Sequence, residues 1–218
     1  MTDRKRLGGQ DADSEQCWTC LLEQARYAID AGVDVFQVRE RDVASTVLAR
    51  IVAAIVRMAR GSSTRVVVND RLDVALACEA DGVHLPAESL PPVRVRAIAP
   101  PGFIVGRSVH SEGEASAMSG SSDYLIAGTV WPTESKQGQT MVIGPSGLAA
   151  IVRASSVPVL AIGGVTLDRV AQAAQAGAAG VAAIGMFMGV GGTRCRALPL
   201  ESIASSARAQ FDTSRTAS

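Results

Sequence analysis

Short apolar runs recur along this chain, and an amphipathic stretch follows nearly every one. The runs fall at residues 33–38, 65–69, 82–85, 103–106, 124–128, 157–162 and 180–185. Val66-Val67-Val68 and Tyr124-Leu125-Ile126-Ala127 are typical: short, rich in β-branched or bulky residues, and without strict alternation. Such runs predict strands covered on both faces, as in a parallel sheet. Between them apolar residues return with the 3.6-residue period of a helix, most clearly at Val47, Leu48, Ile51, Val52, Ile55 and Val56. Shorter versions lie at 72–77, 113–118, 148–152 and 167–176, and Cys17, Leu21, Leu22, Ala25, Ala28 and Ile29 mark a helix before the first run. Strand alternating with helix predicts βαβ units.

Small residues stand just before several strands: Ala31-Gly32-Val33, Ala80-Asp81-Gly82-Val83 and Ala176-Gly177-Ala178-Ala179-Gly180-Val181. Glycine there suits a helix C-cap and a tight αβ turn. The repetition predicts an α/β fold of the TIM (β/α)8 barrel type rather than an open sheet. Only seven runs are visible, so the barrel is expected to lack or truncate its first strand. The expected organisation is one domain over 1–218, with its core at about 20–190 and flexible ends at 1–16 and 191–218.

Composition narrows the function. The chain has 218 residues, 47% of them hydrophobic and 19% charged, which fits a globular enzyme and excludes a fibrous or disordered chain. Lys plus Arg, 21, equals Asp plus Glu, 21, so there is no overall pull toward nucleic acid or an anionic membrane. No apolar run approaches the roughly 18 residues that span a bilayer. Residues 1–14 are polar and lack a signal-peptide core. The expected location is cytoplasmic. Cys17 and Cys20 have redox or metal-ligand spacing, but no second pair completes a zinc site. Two small residues on one face at a helix start is the favoured reading.

Active sites of such barrels lie at the carboxyl ends of the strands. There the sequence places Gln37, Arg39, Glu40 and Arg41; then Asn69, Asp70 and Arg71; then His84 with Glu88; then Ser108 and His110. Thr129, Thr133, Ser135 and Lys136 follow, and last come Gly163-Gly164, with Ile184 and Gly185. Guanidiniums, an ammonium, hydroxyls and glycine turns together suit phosphate or pyrophosphate. Each feature also has a plainer reading. Arg39-Glu40-Arg41 could be a solvated charge run, Asp70 could cap the next helix, and residues 132–138 could be an ordinary polar loop rather than a phosphate lid. His84 and His110 lack metal-ligand spacing, and a structural role leads for both.

Five phrases occur in order: Gln37-Val38-Arg39-Glu40-Arg41-Asp42, Val68-Asn69-Asp70-Arg71, Asp81-Gly82-Val83-His84-Leu85, Gly128-Thr129-Val130-Trp131-Pro132-Thr133-Glu134-Ser135-Lys136 and Ala161-Ile162-Gly163-Gly164-Val165. Together they resemble the signature of the thiamine phosphate synthase/TenI family over about residues 20–190. Met1-Thr2-Asp3-Arg4 likewise looks like the end of that family's first strand. The resemblance implies a transferase of thiamine biosynthesis that joins hydroxymethylpyrimidine pyrophosphate to thiazole phosphate. Mg²⁺ assists the release of pyrophosphate, and the thiazole nitrogen attacks the resulting pyrimidine-methyl cation. Carried over by position, Gln37 would contact the pyrimidine. Arg39, Arg41, Asn69, Ser108, Thr133, Ser135 and Lys136 would hold pyrophosphate or the thiazole substituents, with Arg39, Arg41 and Lys136 as the catalytic cations. Asp70 would ligate magnesium. Gly164 and Gly185 would offer backbone donors to the thiazole phosphate, with Thr129, Gly163 and Ile184 as further substrate positions. The implied partners are the two small phosphorylated substrates, and a homo-oligomer is allowed.

The pattern has departures. Ser89 stands where the synthases carry a second magnesium aspartate, leaving Glu88 as the nearest carboxylate, and Mg²⁺ tolerates little misplacement. Arg41 replaces a lysine, and Gly185 replaces a serine. With Ser108-Val109-His110-Ser111, these changes also resemble the TenI branch, whose thiazole tautomerases use a histidine where Thr129 stands here. Synthase, tautomerase and a catalytically weakened thiazole-phosphate-binding protein are the three readings.

Overall fold

The computed structural model describes residues 1–8, 15–133, 141–187 and 200–216. Two helices, α1 (Arg4–Gly8) and α2 (Glu15–Asp30), precede the first strand. Then strand and helix alternate: β1 (Val35–Val38), α3 (Ser45–Ala59), β2 (Arg65–Asn69), α4 (Leu72–Ala77), β3 (Gly82–Leu85), α5 (Pro92–Arg96) and β4 (Ile104–Val109). The alternation continues with α6 (Glu112–Ser119), β5 (Tyr124–Ala127), α7 (Gly144–Ala154), β6 (Val159–Ile162), α8 (Leu167–Gln175) and β7 (Gly180–Ala182). A 3₁₀ turn at Gly185–Phe187 and α9 (Leu200–Thr216) complete the described chain.

The chain divides into two compact units. One comprises residues 1–84, 101–104 and 187–205; the other comprises 85–100, 105–186 and 206–218. In the first, β1 pairs with β2 and β2 with β3, all parallel. In the second, β4, β5, β6 and β7 pair in succession, again parallel. Within each unit, therefore, every strand lies beside the next one in the chain. That is the order of a singly wound barrel; a doubly wound sheet reverses direction at a switch point. Seven strands are present among the described residues, as the apolar runs predicted.

The strands form where both faces can be covered. All of β3 and β5, and all of β2 but Arg65, are buried. Helix α3 turns Leu48, Ile51, Val52, Ile55 and Ala59 inward, the stripe its periodicity predicted. An acidic residue before two of the strands adds a polar device. Asp81 accepts the Val66 amide at 2.7 Å and the Arg65 guanidinium at 3.1 Å. Asp123 accepts the Val105 amide at 2.7 Å and binds Arg96. In each case a carboxylate ahead of one strand satisfies an N–H near the start of its neighbour, which sheet pairing there leaves open.

Three elements were not anticipated. Helix α5 follows Pro91, with Pro92 in its first turn, where proline's missing N–H costs nothing. Helix α9 lies in the tail expected to be flexible, and it buries Leu200, Ala204, Ala207 and Phe211. Spacings of four, three and four are helical, so the signal was present beneath a Ser/Arg-rich composition. At the other end Thr2 and Arg4 are buried, at 0% and 2% exposure, although residues 1–16 were expected to be flexible. The Thr2 amide donates to the Gln37 carbonyl at 2.9 Å, so this segment lies along the edge of β1, in keeping with its likeness to the end of a strand. Cys17 is a buried thiol, outside any disulfide, that donates to the Arg4 carbonyl, whereas Cys20 is disulfide-bonded, so the two are not joined to each other.

Candidate active site

Register decides which side chains share a face. In a parallel sheet, paired residues project to the same side and neighbours along a strand to opposite sides. Gln37 pairs with Val67, Val67 with Gly82, and Asn69 with His84. Gln37, Asn69 and His84 therefore share one face of the first unit's sheet, toward its carboxyl end. The opposite face carries Phe36, Val38, Val66, Val68, Val83 and Leu85, all buried and apolar. Polar groups on one face at the carboxyl end, and apolar packing on the other, is how a barrel strand divides between site and core.

Gln37 is 4% exposed, and neither its amide nitrogen nor its amide oxygen has a hydrogen-bond partner among the described residues. Asn69 and His84 are also buried. The next residue, Asp70, is exposed and left-handed at φ 65°, with its amide donating to the His84 carbonyl at 2.8 Å. The N-cap of α4 is Arg71, not Asp70. Asp70 thus stands at the strand end as an exposed carboxylate just ahead of the helix cap. Arg71 is engaged by Asp73 at 2.5 Å and Ser45 at 2.9 Å.

The segment after β1 is not a solvated charge run. Arg39 is half-buried, Arg41 is exposed, and Glu40 between them is buried. Burial, followed by repulsion from Arg41, pushes the Arg39 guanidinium below its usual value, although an arginine remains charged in any protein. Burial likewise pushes the Glu40 carboxyl up, against the bonds it accepts from Thr2 and Arg4. Arg4 and Lys5 hold the Asp42 carboxyl well below the usual range.

The second unit contributes its own group. Ser108 on β4 pairs with Ile126 on β5, and Ile126 with Leu160 on β6. Thr129 is buried, Thr133 half-buried, and Ile184 half-buried beyond β7. Gly163 and Gly164 follow β6 with φ of 95° and 62°, conformations that favour glycine. A Cβ on Gly163 would come within 2.6 Å of the Thr129 methyl, and one on Gly164 within 2.5 Å of the Pro132 carbonyl oxygen. The bare backbone of this turn is therefore required. Arg169 of α8 donates to the Gly164 carbonyl at 2.6 Å and lies over the Trp131 ring at 5.8 Å. Gly185 begins the 3₁₀ turn and is exposed.

Glu88 is exposed in the second unit, whereas Asp70 belongs to the first. Among the described residues no cluster of three or more His, Cys, Asp or Glu side chains is arranged to hold a metal. Ser135 and Lys136 lie outside the described residues. No described helix is long and apolar enough to cross a membrane. Sequence reading missed two buried arginines near these strand ends. Arg107 donates to the carbonyls of Ala87, Ser89 and Leu90, at 2.5, 3.2 and 2.9 Å, and Arg4 binds Glu40. An arginine inside or beside an apolar strand run was the available signal.

Residues 12–187 match the family described as thiamine monophosphate synthase. The thiamine-phosphate synthase of Methanoregula boonei is 42% identical over 168 residues, covering 77% of this chain and 78% of that one. That of Methanoculleus marisnigri is 38% identical over 187 residues, covering 85% and 89%. Among solved structures, thiamine phosphate pyrophosphorylase from Pyrococcus furiosus superposes with a TM-score of 0.77 at 30% identity, covering 97% of this chain and 98% of that one. Strand order within each unit, the polar carboxyl-end face of β1 to β3, and these matches over most of the chain agree, and the chain belongs to the thiamine monophosphate synthase family.

Proposed function

We propose that this protein is a thiamine phosphate synthase, joining hydroxymethylpyrimidine pyrophosphate to thiazole phosphate with release of pyrophosphate. One observation carries the reading to particular residues: the Gln37 amide, buried without a partner among the described residues, two positions before Arg39. An orphaned buried amide costs roughly 1–3 kcal/mol. A heteroaromatic ring edge, with donor and acceptor side by side, complements both halves of that amide. Arg39 and Arg41 then stand where the ring's pyrophosphate would emerge, and Asn69 supplies a further polar contact. The guanidinium pair binds the leaving group more strongly as charge develops on it, which lowers the barrier. The glycine turn at Gly163-Gly164, with Thr129, Ile184 and Gly185, is assigned to the thiazole phosphate. Ser108, Thr133, Ser135 and Lys136 are assigned to the phosphate and pyrophosphate groups.

Mg²⁺ fits the donor chemistry of Asp70. This is a hard, exposed carboxylate held at a strand end, and Mg²⁺ is commonly bound by one or two carboxylates plus substrate phosphates and water. Asp70 would hold the ion, with Glu88 as the second candidate, and the ion would supply charge neutralisation on pyrophosphate. The tautomerase reading is not favoured. The relatives matched are synthases, and the histidine expected of a tautomerase is Thr129 here. The site chemistry proposed here fits an intracellular biosynthetic enzyme, and we assign it to the cytoplasm.

Turnover with both substrates, with and without Mg²⁺, tests the assignment. Thiamine phosphate and pyrophosphate should form together and only with metal. Arg39→Ala should lower kcat/KM by about 10²-fold or more, and Asp70→Asn should raise the Mg²⁺ needed for half-maximal rate. Conversion of a thiazole carboxylate phosphate alone, without metal, would overturn the assignment.

A further inference from the structure

We propose that Arg4 is a positioning residue for the Arg39–Arg41 pair, acting through Glu40. This rests on the synthase reading above. Arg4 is 2% exposed and Glu40 6%. The Arg4 backbone amide donates to both carboxylate oxygens of Glu40, at 3.1 and 3.3 Å, and its guanidinium donates to Oε2 at 3.1 Å. The same guanidinium reaches Asp42 at 2.5 Å and lies over the Trp18 ring at 5.1 Å. The Arg39 amide donates to Thr2 Oγ1 at 2.8 Å. Residues 39, 40 and 42 are thus all fastened to the 2–5 segment, and Arg41 and Asp42 are the exposed residues of the stretch.

Two physical consequences follow. With Glu40 held inward, its neighbours on either side are fixed as a pair, so less rotamer freedom remains to be lost when an anion binds. Arg4 also neutralises a carboxylate that lies between two cations. Without it, an unpaired buried anion would lie between the two cations and weaken the field of Arg39 and Arg41. A purely structural ion pair would instead affect stability and both substrates alike. The prediction is therefore selective.

The experiment measures KM separately for hydroxymethylpyrimidine pyrophosphate and thiazole phosphate in wild type, Arg4→Met, Arg4→Lys and the double variant Arg4→Met/Glu40→Gln. Arg4→Met should raise the first KM about tenfold or more and leave the second within about twofold. Arg4→Lys should recover part of the loss. The double variant should bind better than Arg4→Met, because it removes the unpaired carboxylate. Equal changes in both KM values, or none, overturn the proposal. Should Arg4→Met fail to fold, Glu40→Ala removes the side chain through which Arg4 acts, and an unchanged first KM in that folded variant overturns it equally. Calorimetric titration with inorganic pyrophosphate and Mg²⁺ separates this proposal from the synthase reading. Wild type that binds pyrophosphate but makes no thiamine phosphate fails only the synthase reading, whereas Arg4→Met binding it as tightly as wild type fails this one.

Discussion

At Gln37, folding and binding make opposite demands. A buried amide without a partner among the described residues lowers stability, and an apolar side chain of similar length would raise it. Gln37→Met should therefore melt higher, by about 2–4 °C for each kcal/mol of desolvation relieved, with KM for the pyrimidine substrate increased. Thermal melting and steady-state kinetics on one preparation check both halves; a lower melting temperature would show that the amide is satisfied. Asp42 illustrates the opposite sign. Its carboxyl is held below the ordinary aspartate value of 3.8 by Arg4 and Lys5. The folded state thus gains stability from the ionised form above that value and loses it as pH falls below. Because the side chain is 42% exposed, solvent screens much of the effect. Asp42→Asn should start less stable at pH 7 and lose less on acidification to pH 3, measured by melting at both pH values.

At the scale of elements, carboxylates and guanidiniums fasten loops to strands. Asp81 and Asp123 each join a strand's preceding turn to the neighbouring strand's first amides. Arg107 does the reverse, reaching from β4 to three carbonyls of the segment after β3. Hydrogen bonds from a charged donor contribute about 1.5–3 kcal/mol, and three part-buried carbonyls share this guanidinium. Arg107→Met should cost about 2–3 kcal/mol in urea unfolding and make the 86–91 segment a new site of proteolysis. Unchanged unfolding and cleavage would show that water replaces the guanidinium without loss. This loop also carries Glu88, so the same variant reports on whether that carboxylate takes part in metal binding.

At the scale of the whole molecule, the apolar runs with amphipathic stretches between them were enough to predict the seven parallel strands seen among the described residues, because two-sided burial leaves a continuous hydrophobic record in each strand. The helical spacing of Leu200, Ala204, Ala207 and Phe211 was equally present in the chain, though composition concealed it. Residue types at the strand ends also pointed to phosphate chemistry, and the order of motifs pointed to the family. Tertiary structure alone decided the rest. Whether Arg39-Glu40-Arg41 is a solvated run or a fastened pair depends on Arg4, 36 residues from Glu40 along the chain. Whether Asp70 caps a helix depends on a backbone turn tied to His84. Burial and long-range pairing are properties of packed surfaces, and a local sequence window does not contain the surface against which each side chain packs.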